Sequence, residues 1–421
     1  MNPAAAARLA PLIGELLGSP LPFRLRAWDG STAGPTDAPT VILHNRRALR
    51  RLIWQPGELG LADAYISGDL DVEGDLATGL ARIRRMLAGH VTVRPAPRDW
   101  PRLLTAAGRL GVLGPRPPAP ATRAAVRGER HSRARDRAVI SHHYDLSNEF
   151  YELLLGPAMA YSCAYWTPEA TTLAEAQAAK FDLICRKLGL RPGMRLLDVG
   201  CGWGALAVHA ARHHGVRVTA VTLSRQQHRF AESLAAEAGL ADRIDVRLQD
   251  YRELADGAFD AISCVEMGEH VGDREYPAFA ARLFALLRPE GRLLVQQMSR
   301  GRGTPGGGAF IETYIAPDMH MRPVGETVAQ LEDAGLEVRQ VEALREHYTR
   351  TIDAWRRTLE EHREEFVALV GVPTFRLWRL YLVGSSQAFG QRRMGVDQIL
   401  AVRPTPDGSA AVPATPAQWY G

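Results

Sequence analysis

Directly after the apolar run Ile262–Val265, the chain places Glu266, Glu269 and His270 within five residues. Two carboxylates and an imidazole are the groups of acid–base chemistry. Burying a charge is costly unless it is paired. These side chains therefore either sit at a solvated loop edge or line a site that needs them.

A second group of residues points to a ligand. In LLDVGCGWGALA (196–207) a strand ends at Asp198, Gly200 and Gly202 make a tight turn, and a helix starts near Trp203. Glycine is needed where a ligand must touch the backbone, and a helix N-terminus there suits a carboxylate. The spacing is GxGxG, not the GxGxxG of dinucleotide sites, and no Lys-Ser/Thr follows to make a phosphate loop. The pattern suits a cofactor with an amino-acid tail; an ordinary glycine turn is the plain alternative. The next strand ends in VTLSRQQ, where Thr222 and Gln227 offer hydrogen bonds to a ribose or the tail. The one after ends in LQDYREL, where Asp250 offers a carboxylate to an amino group and Tyr251 a flat face to a base. Singly, each reads as a cap or turn residue. At consecutive strand ends they make one nucleoside-sized groove.

The elements that must hold these residues are legible as alternating periods. From about residue 138, strands such as MRLLDVG, VRVTAVTL, IDVRLQD, FDAISCVE and GRLLVQQMS alternate with helical stretches. Continuous apolar strands between helices predict an α/β domain with a mostly parallel sheet covered on both faces. Four regions are expected: an α+β segment over 1–91, a Pro/Arg-rich linker over 92–137, the α/β domain over 138–403, and a flexible tail over 404–421. The 46% hydrophobic and 23% charged fractions are those of a globular protein. No apolar run reaches about 18 residues, so no membrane span is expected. The four cysteines show no metal-ligand spacing, which predicts neither a metal site nor a disulfide framework and fits a reducing cytoplasm. The net charge of +4 rests almost wholly on arginine; Lys180 and Lys187 are the only lysines. No base-flipping signature is present, so nucleic acid is not an expected partner.

The groove resembles that of class I (Rossmann-like) S-adenosylmethionine-dependent methyltransferases. HYDLS, YSCAYW, LLDVGCGWG, VTLS, EHVG and HYTRTIDAW, in that order between residues 143 and 355, sharpen this. The set resembles the cyclopropane-fatty-acyl-phospholipid synthase and mycolic-acid methyltransferase family over roughly residues 138–403. GELGLADAYISGDLDVEGDL also resembles the extra N-terminal domain of the phospholipid-acting members. The resemblance implies that Tyr161, Ser162, Gly200, Thr222, Gln227 and Tyr251 contact S-adenosylmethionine with His143 nearby, and that Asp198 positions the glycine loop. It implies that Cys163, Glu269 and Tyr348 hold a bicarbonate ion beside the methyl group, with Cys163 a small polar wall and not a nucleophile. His270 then reads as structural, and Glu266 as a partner for an arginine.

The implied reaction is methyl transfer to the double bond of a phospholipid acyl chain, an alkene being a weak nucleophile and the sulfonium methyl a strong electrophile. The resulting carbocation needs a dry, aromatic-lined site, for which Tyr161, Tyr165, Trp166, Tyr314 and Tyr348 are candidates. Two departures bear on the product. VEMGEHVG carries Glu266 where relatives usually have a small or apolar residue, which could change the base shell. Cyclopropane-forming relatives carry a His in an LLHTI pattern, and here LLVQQMS places Gln296, which can donate to bicarbonate but cannot titrate. Ring closure gives cyclopropane; a hydride shift and proton loss give an exocyclic methylene, which a separate reductase would turn into a methyl branch. The methylene is slightly favoured. A peripheral membrane location follows, with Arg123, Arg127, Arg130, Arg133, Arg135 and Arg137, Trp100 and the N-terminal amphipathic segment as anchors; a homodimer through the N-terminal region is compatible. The competing readings are a methyltransferase of small metabolites and a non-catalytic lipid-binding relative.

Overall fold

A computed structural model describes residues 4–18, 20–87, 100–123, 146–255, 257–301 and 306–420, with 128, 131 and 135 between them. It divides into two compact units, residues 1–123 with 370–384, and 124–369 with 385–421.

In the first unit, β1 (Arg24–Arg26), β2 (Thr32–Ala33), β3 (Thr40–Leu43) and β4 (Leu70–Val72) form a four-stranded sheet in the order β2-β1-β3-β4. The helix Ala5–Leu17 buries Ala5, Ala6 and Leu9 in its core, so its apolar face is packed within the unit. Arg51 and Asp69 form a buried ion pair, and Asp69 also accepts from Asn45 and Arg47. The expected linker proves to be partly structural. Trp100–Arg109 is a helix, Leu110 and Val112 are core residues, and Arg46, Arg50 and Arg51 donate to the carbonyls of Leu110, Val112 and Pro118. Arginines supply the donors that a proline-rich segment lacks. The helix Arg363–Gly390 is long and apolar enough to cross a membrane by length and composition. It breaks at Gly371 (φ +76°), and Arg376 within it pairs with Asp71 and stacks over Tyr65, which marks 370–384 as part of this unit's packing.

The second unit holds the expected α/β sheet. β5 (Arg195–Val199), β6 (Arg217–Thr222), β7 (Ile244–Leu248), β8 (Phe259–Val265), β9 (Leu287–Ser299), β10 (Glu337–Ala343) and β11 (Gly395–Val402) lie in the order β10-β11-β9-β8-β5-β6-β7. β5 to β9 run parallel and β11 is antiparallel to both its neighbours. The chain runs outward from β5 through β6 to β7 and then returns to β8 on the other side of β5, and the carboxyl ends of β5, β6 and β8 open beside that switch point, where ligands bind in open α/β sheets. The strands read as apolar runs because helices cover both faces: Leu196 and Ala220 face one core cluster, Leu197 and Val221 the other.

The expected flexible tail is instead docked. Trp419 is buried against Leu183 and Leu400, and Tyr420 Oη donates to Glu342 at 2.8 Å. Proline- and alanine-rich composition hid the two adjacent aromatic side chains that fasten the segment. Trp419→Ala is predicted to cost about 3 kcal/mol, read as a lowered denaturation midpoint; an unchanged midpoint would show that the tail adds nothing.

Candidate active site

Glycine conformation builds the floor of a cleft at the carboxyl ends of β5, β6 and β8. Gly200 follows β5 with φ +78°, and a Cβ there would lie 3.0 Å from the Met267 side chain. Asp198, buried at the end of β5, accepts from Ser263 of the paired strand at 2.8 Å. Burial pushes its pKa up to about 6, with Ser263 and Lys180 pulling the other way. At the end of β6, Thr222 Oγ1 donates to Gln227 Oε1 at 2.8 Å, and Ser224 caps the helix that carries Gln227.

Of the residues assigned to the cofactor by sequence or by resemblance, Tyr161, Ser162, Asp198, Gly200, Gly202, Thr222, Gln227 and Tyr251 line this cleft. Asp250 does not: its carboxylate caps the following turn and pairs with Arg252, which takes a place in the lining. His143 lies outside the described residues.

The acid–base group differs from the expected one. Glu266, the first residue after β8, has a left-handed backbone (φ +51°). Tyr348 Oη donates to its Oε2 at 2.6 Å; the Cys163 backbone N–H and Gln296 Nε2 donate to Oε1 at 2.7 and 2.9 Å. Cys163, Tyr348 and Gln296 thus converge, but on Glu266 and not on Glu269, and no arginine pairs with Glu266 among the described residues. Burial pushes the Glu266 pKa up, while Tyr348, the Cys163 amide, Gln296 and Lys180 pull it back. Glu269, three residues on in a short turn, is fully buried near Arg322, and among the described residues neither carboxylate oxygen makes a hydrogen bond of good geometry. Burial first, then the Glu266 charge, drives its pKa well up; the Glu269 and Met298 amides and Arg322 offset this only in part. Of two adjacent buried carboxyls, the one clasped by donors keeps the charge and the other keeps the proton.

The Cys163 thiol is fully buried and burial raises its pKa, which disfavours the thiolate that a nucleophile needs. His270 lines the cleft as a neutral imidazole, its pKa pushed down to about 4 by burial. Lys180, which nothing in the local sequence marks as functional, is buried in the lining and donates to Ser162 Oγ at 2.6 Å. Burial lowers its pKa to about 8, with Glu266, Cys163 and Asp198 opposing.

An aromatic group surrounds these side chains: Tyr161 packs on Trp355 at 5.2 Å and on Tyr151 at 6.0 Å, and Tyr348 on Phe389 at 4.6 Å. Of the aromatics expected there, Tyr165 stacks instead on His347, and the indole of Trp166 donates to Thr351. Away from the cleft, Cys185, His209 and His214 bring their ligand atoms within 4.8 Å of one another, a cluster that linear spacing does not reveal.

A family model described as mycolic acid cyclopropane synthetase matches residues 131–399. The chain belongs to that family. It is 39% identical over 407 residues to a probable fatty acid methyltransferase of Mycobacterium tuberculosis, covering 95% of each chain. It is 32% identical over 420 residues to tuberculostearic acid methyltransferase of the same organism, covering 96% of this chain and 93% of the relative. The fold matches the crystal structure of a mycolic acid cyclopropane synthase complexed with SAH and CTAB (TM-score 0.60, 33% identity), over 63% of this chain and 97% of that one. The protein is therefore a class I S-adenosylmethionine-dependent methyltransferase acting on lipids, and the glycine-floored cleft fits that cofactor. Gly200→Ala is predicted to weaken S-adenosylmethionine binding about tenfold or more, because the side chain would meet Met267 at a backbone that disfavours it. Isothermal titration calorimetry checks this, and wild-type affinity would refute it.

Proposed function

We propose that the protein methylates the double bond of an unsaturated phospholipid acyl chain, with Glu266 as the base that removes the final proton. The observation that carries this reading is the carboxylate clasped by Tyr348, Cys163 and Gln296 in the cofactor cleft. S-adenosylmethionine, when bound, supplies an electrophilic methyl group to the alkene and leaves positive charge on the acyl chain. The faces of Tyr161, Trp355 and Tyr348 favour positive charge nearby, and the buried surroundings exclude water that would trap it. Tyr161, Ser162, Thr222, Gln227 and Tyr251 hold the cofactor, and Asp198 with Lys180 fixes the loop and Ser162.

Glu266 then accepts a proton from the acyl chain through one carboxylate oxygen while its three donors hold it in place. This replaces the expected bicarbonate ion: Tyr348 and Cys163, assigned to that ion by resemblance, already hold a carboxylate belonging to the chain. Proton loss after a hydride shift gives a methylene, and proton loss with ring closure a cyclopropane. The methylene, precursor of a methyl branch through a separate reductase, is favoured by two features. Gln296 stands where cyclopropane-forming relatives have His, and the full-length relatives are named for fatty-acid and tuberculostearic-acid methylation.

A phospholipid substrate requires contact with a bilayer. Of the arginines expected to serve, Arg123 is tied to Asp63 and Arg135 to Asp318. Arg127, Arg130, Arg133 and Arg137 and the Trp100 side chain lie outside the described residues. The first unit exposes Ile53, Trp54, Leu61 and Leu113, with Arg50 bonded to the Leu113 carbonyl, and this apolar surface with its basic flank is the better membrane-facing candidate.

The test uses full-length protein, labelled S-adenosylmethionine and oleoyl phospholipid vesicles, with mass spectrometry and alkene-sensitive derivatisation of the released fatty acids. Retained alkene reactivity in the methylated product identifies a methylene, and its loss a cyclopropane. Glu266→Gln is predicted to lower turnover at least about a hundredfold with cofactor binding kept, and wild-type turnover is predicted to be the same in bicarbonate-depleted buffer. A strict need for added bicarbonate would overturn the assignment of Glu266. Trp54→Ala combined with Leu61→Ala is predicted to reduce vesicle co-sedimentation about tenfold; unchanged binding would reject this surface.

A further inference from the structure

The only two lysines of the chain both lie on the helix Leu173–Leu188, and both are buried. Lys180 belongs to the cleft. Lys187, seven residues on, points into the sheet: its Nζ ion-pairs with Glu342 and donates to Gln398 Oε1 at 2.8 Å. Gln398 Nε2 donates to Gln296 Oε1 at 2.9 Å, and Gln296 Nε2 donates to Glu266 Oε1 at 2.9 Å. The strand register builds this line. Glu342 pairs with Gln398, Gln398 with Gln296, and Gln296 with Val265, the residue before Glu266. One row across β10, β11, β9 and β8 therefore carries a continuous chain of polar side chains through an apolar sheet.

We propose that Lys187 is a positioning residue for Glu266, acting through the Gln398–Gln296 relay; this rests on Glu266 being the base. An ammonium only donates, whereas a glutamine amide can be turned either way. Lys187 therefore obliges Gln398 to present its oxygen to the helix and its nitrogen to Gln296. Gln296 in turn must present its nitrogen to Glu266. Gln296 Nε2 also donates to the Cys163 carbonyl at 3.3 Å, so two acceptors keep its nitrogen on that side. Without Lys187, the Gln398 amide can turn its oxygen toward the Gln296 oxygen, and their repulsion draws the Gln296 amide away from Glu266, about 10 Å from Gln398 across two strand spacings. Lys187 faces Glu342, Tyr420 and Gln398, and Glu342 neutralises most of its charge. The effect is therefore carried by the sense of the hydrogen bonds more than by distant attraction. Glu266 itself faces Tyr348, Gln296, the Cys163 amide, Lys180 and Glu269, and of these groups the relay controls only Gln296.

The sign of the consequence is fixed. A carboxylate that loses a donor gains affinity for protons, so the acid limb of turnover against pH moves to higher pH. Lys187→Met and, separately, Gln398→Met are each expected to move that limb up by about one unit. Turnover then falls about tenfold on the acid side and recovers at higher pH, with the KM for S-adenosylmethionine unchanged. Gln398→Met leaves the Lys187–Glu342 pair intact, so a folding defect of Lys187→Met does not decide the matter; thermal denaturation and cofactor titration are run on both. An acid limb that stays in place in folded variants, with turnover either normal or uniformly lowered, would reduce Lys187 to a structural role and overturn the proposal. Glu266→Gln is measured alongside. If it remains active, the reading of Glu266 fails; if it is inactive while the relay variants titrate like the wild type, only the relay fails.

Discussion

A carboxylate taken out of water costs several kcal/mol unless its charge is answered by donors, and the centre of this site is one such group. Glu266 meets the cost with a phenol, a backbone amide and a side-chain amide contributed by three separate parts of the chain. Each of these elements is held in turn. Tyr348 lies on a helix packed through Phe389 and Trp355, Cys163 lies in an extended segment whose next amide donates to Thr351, and Gln296 lies in the centre of the sheet. The strained backbone at Glu266 persists because these contacts over-determine it. Moving any one of them would free a charge inside an apolar chamber.

The choice of lysine at two positions in an arginine-rich chain has a physical reason. A guanidinium is a wide planar fork suited to carboxylates and to loop carbonyls, which is how Arg46, Arg50, Arg51 and Arg376 are used in the first unit. An ammonium is compact and can end a single-file row of hydrogen bonds inside a helix–sheet interface. Lys180 and Lys187 occupy two such places, one in the cleft beside Ser162 and one at the head of the glutamine row.

Much of the fold was legible because it rests on periodicity: alternating apolar strands and amphipathic helices predict the parallel sheet and the cofactor groove at its strand ends. The glycine turn and Thr222, Gln227 and Tyr251 were readable for the same reason, since strand ends converge in any doubly wound sheet. Glu266 was not readable as the clasped acid. Its role depends on a left-handed turn and on partners 30, 82 and 103 residues away in sequence, and the neighbouring EHVG motif drew attention to Glu269. The tail misled because composition speaks for the average residue, while a few side chains, Trp419 and Tyr420 above all, dock it.

Glu269 and Glu266 together explain why a single site holds two buried carboxyls. Near neutral pH two adjacent anions in such surroundings would repel strongly, and the asymmetry of donors settles which one ionises. Glu269, without well-formed hydrogen bonds, stays protonated and adds no negative charge beside the base. A neutral acid next to a clasped carboxylate leaves one negative charge in this pair, offset in part by Lys180. A second full charge would raise the proton affinity of both groups. The donors to Glu266 and the burial of Glu269 are thus two halves of one electrostatic arrangement, and the glutamine row that ends on Lys187 extends it across the sheet.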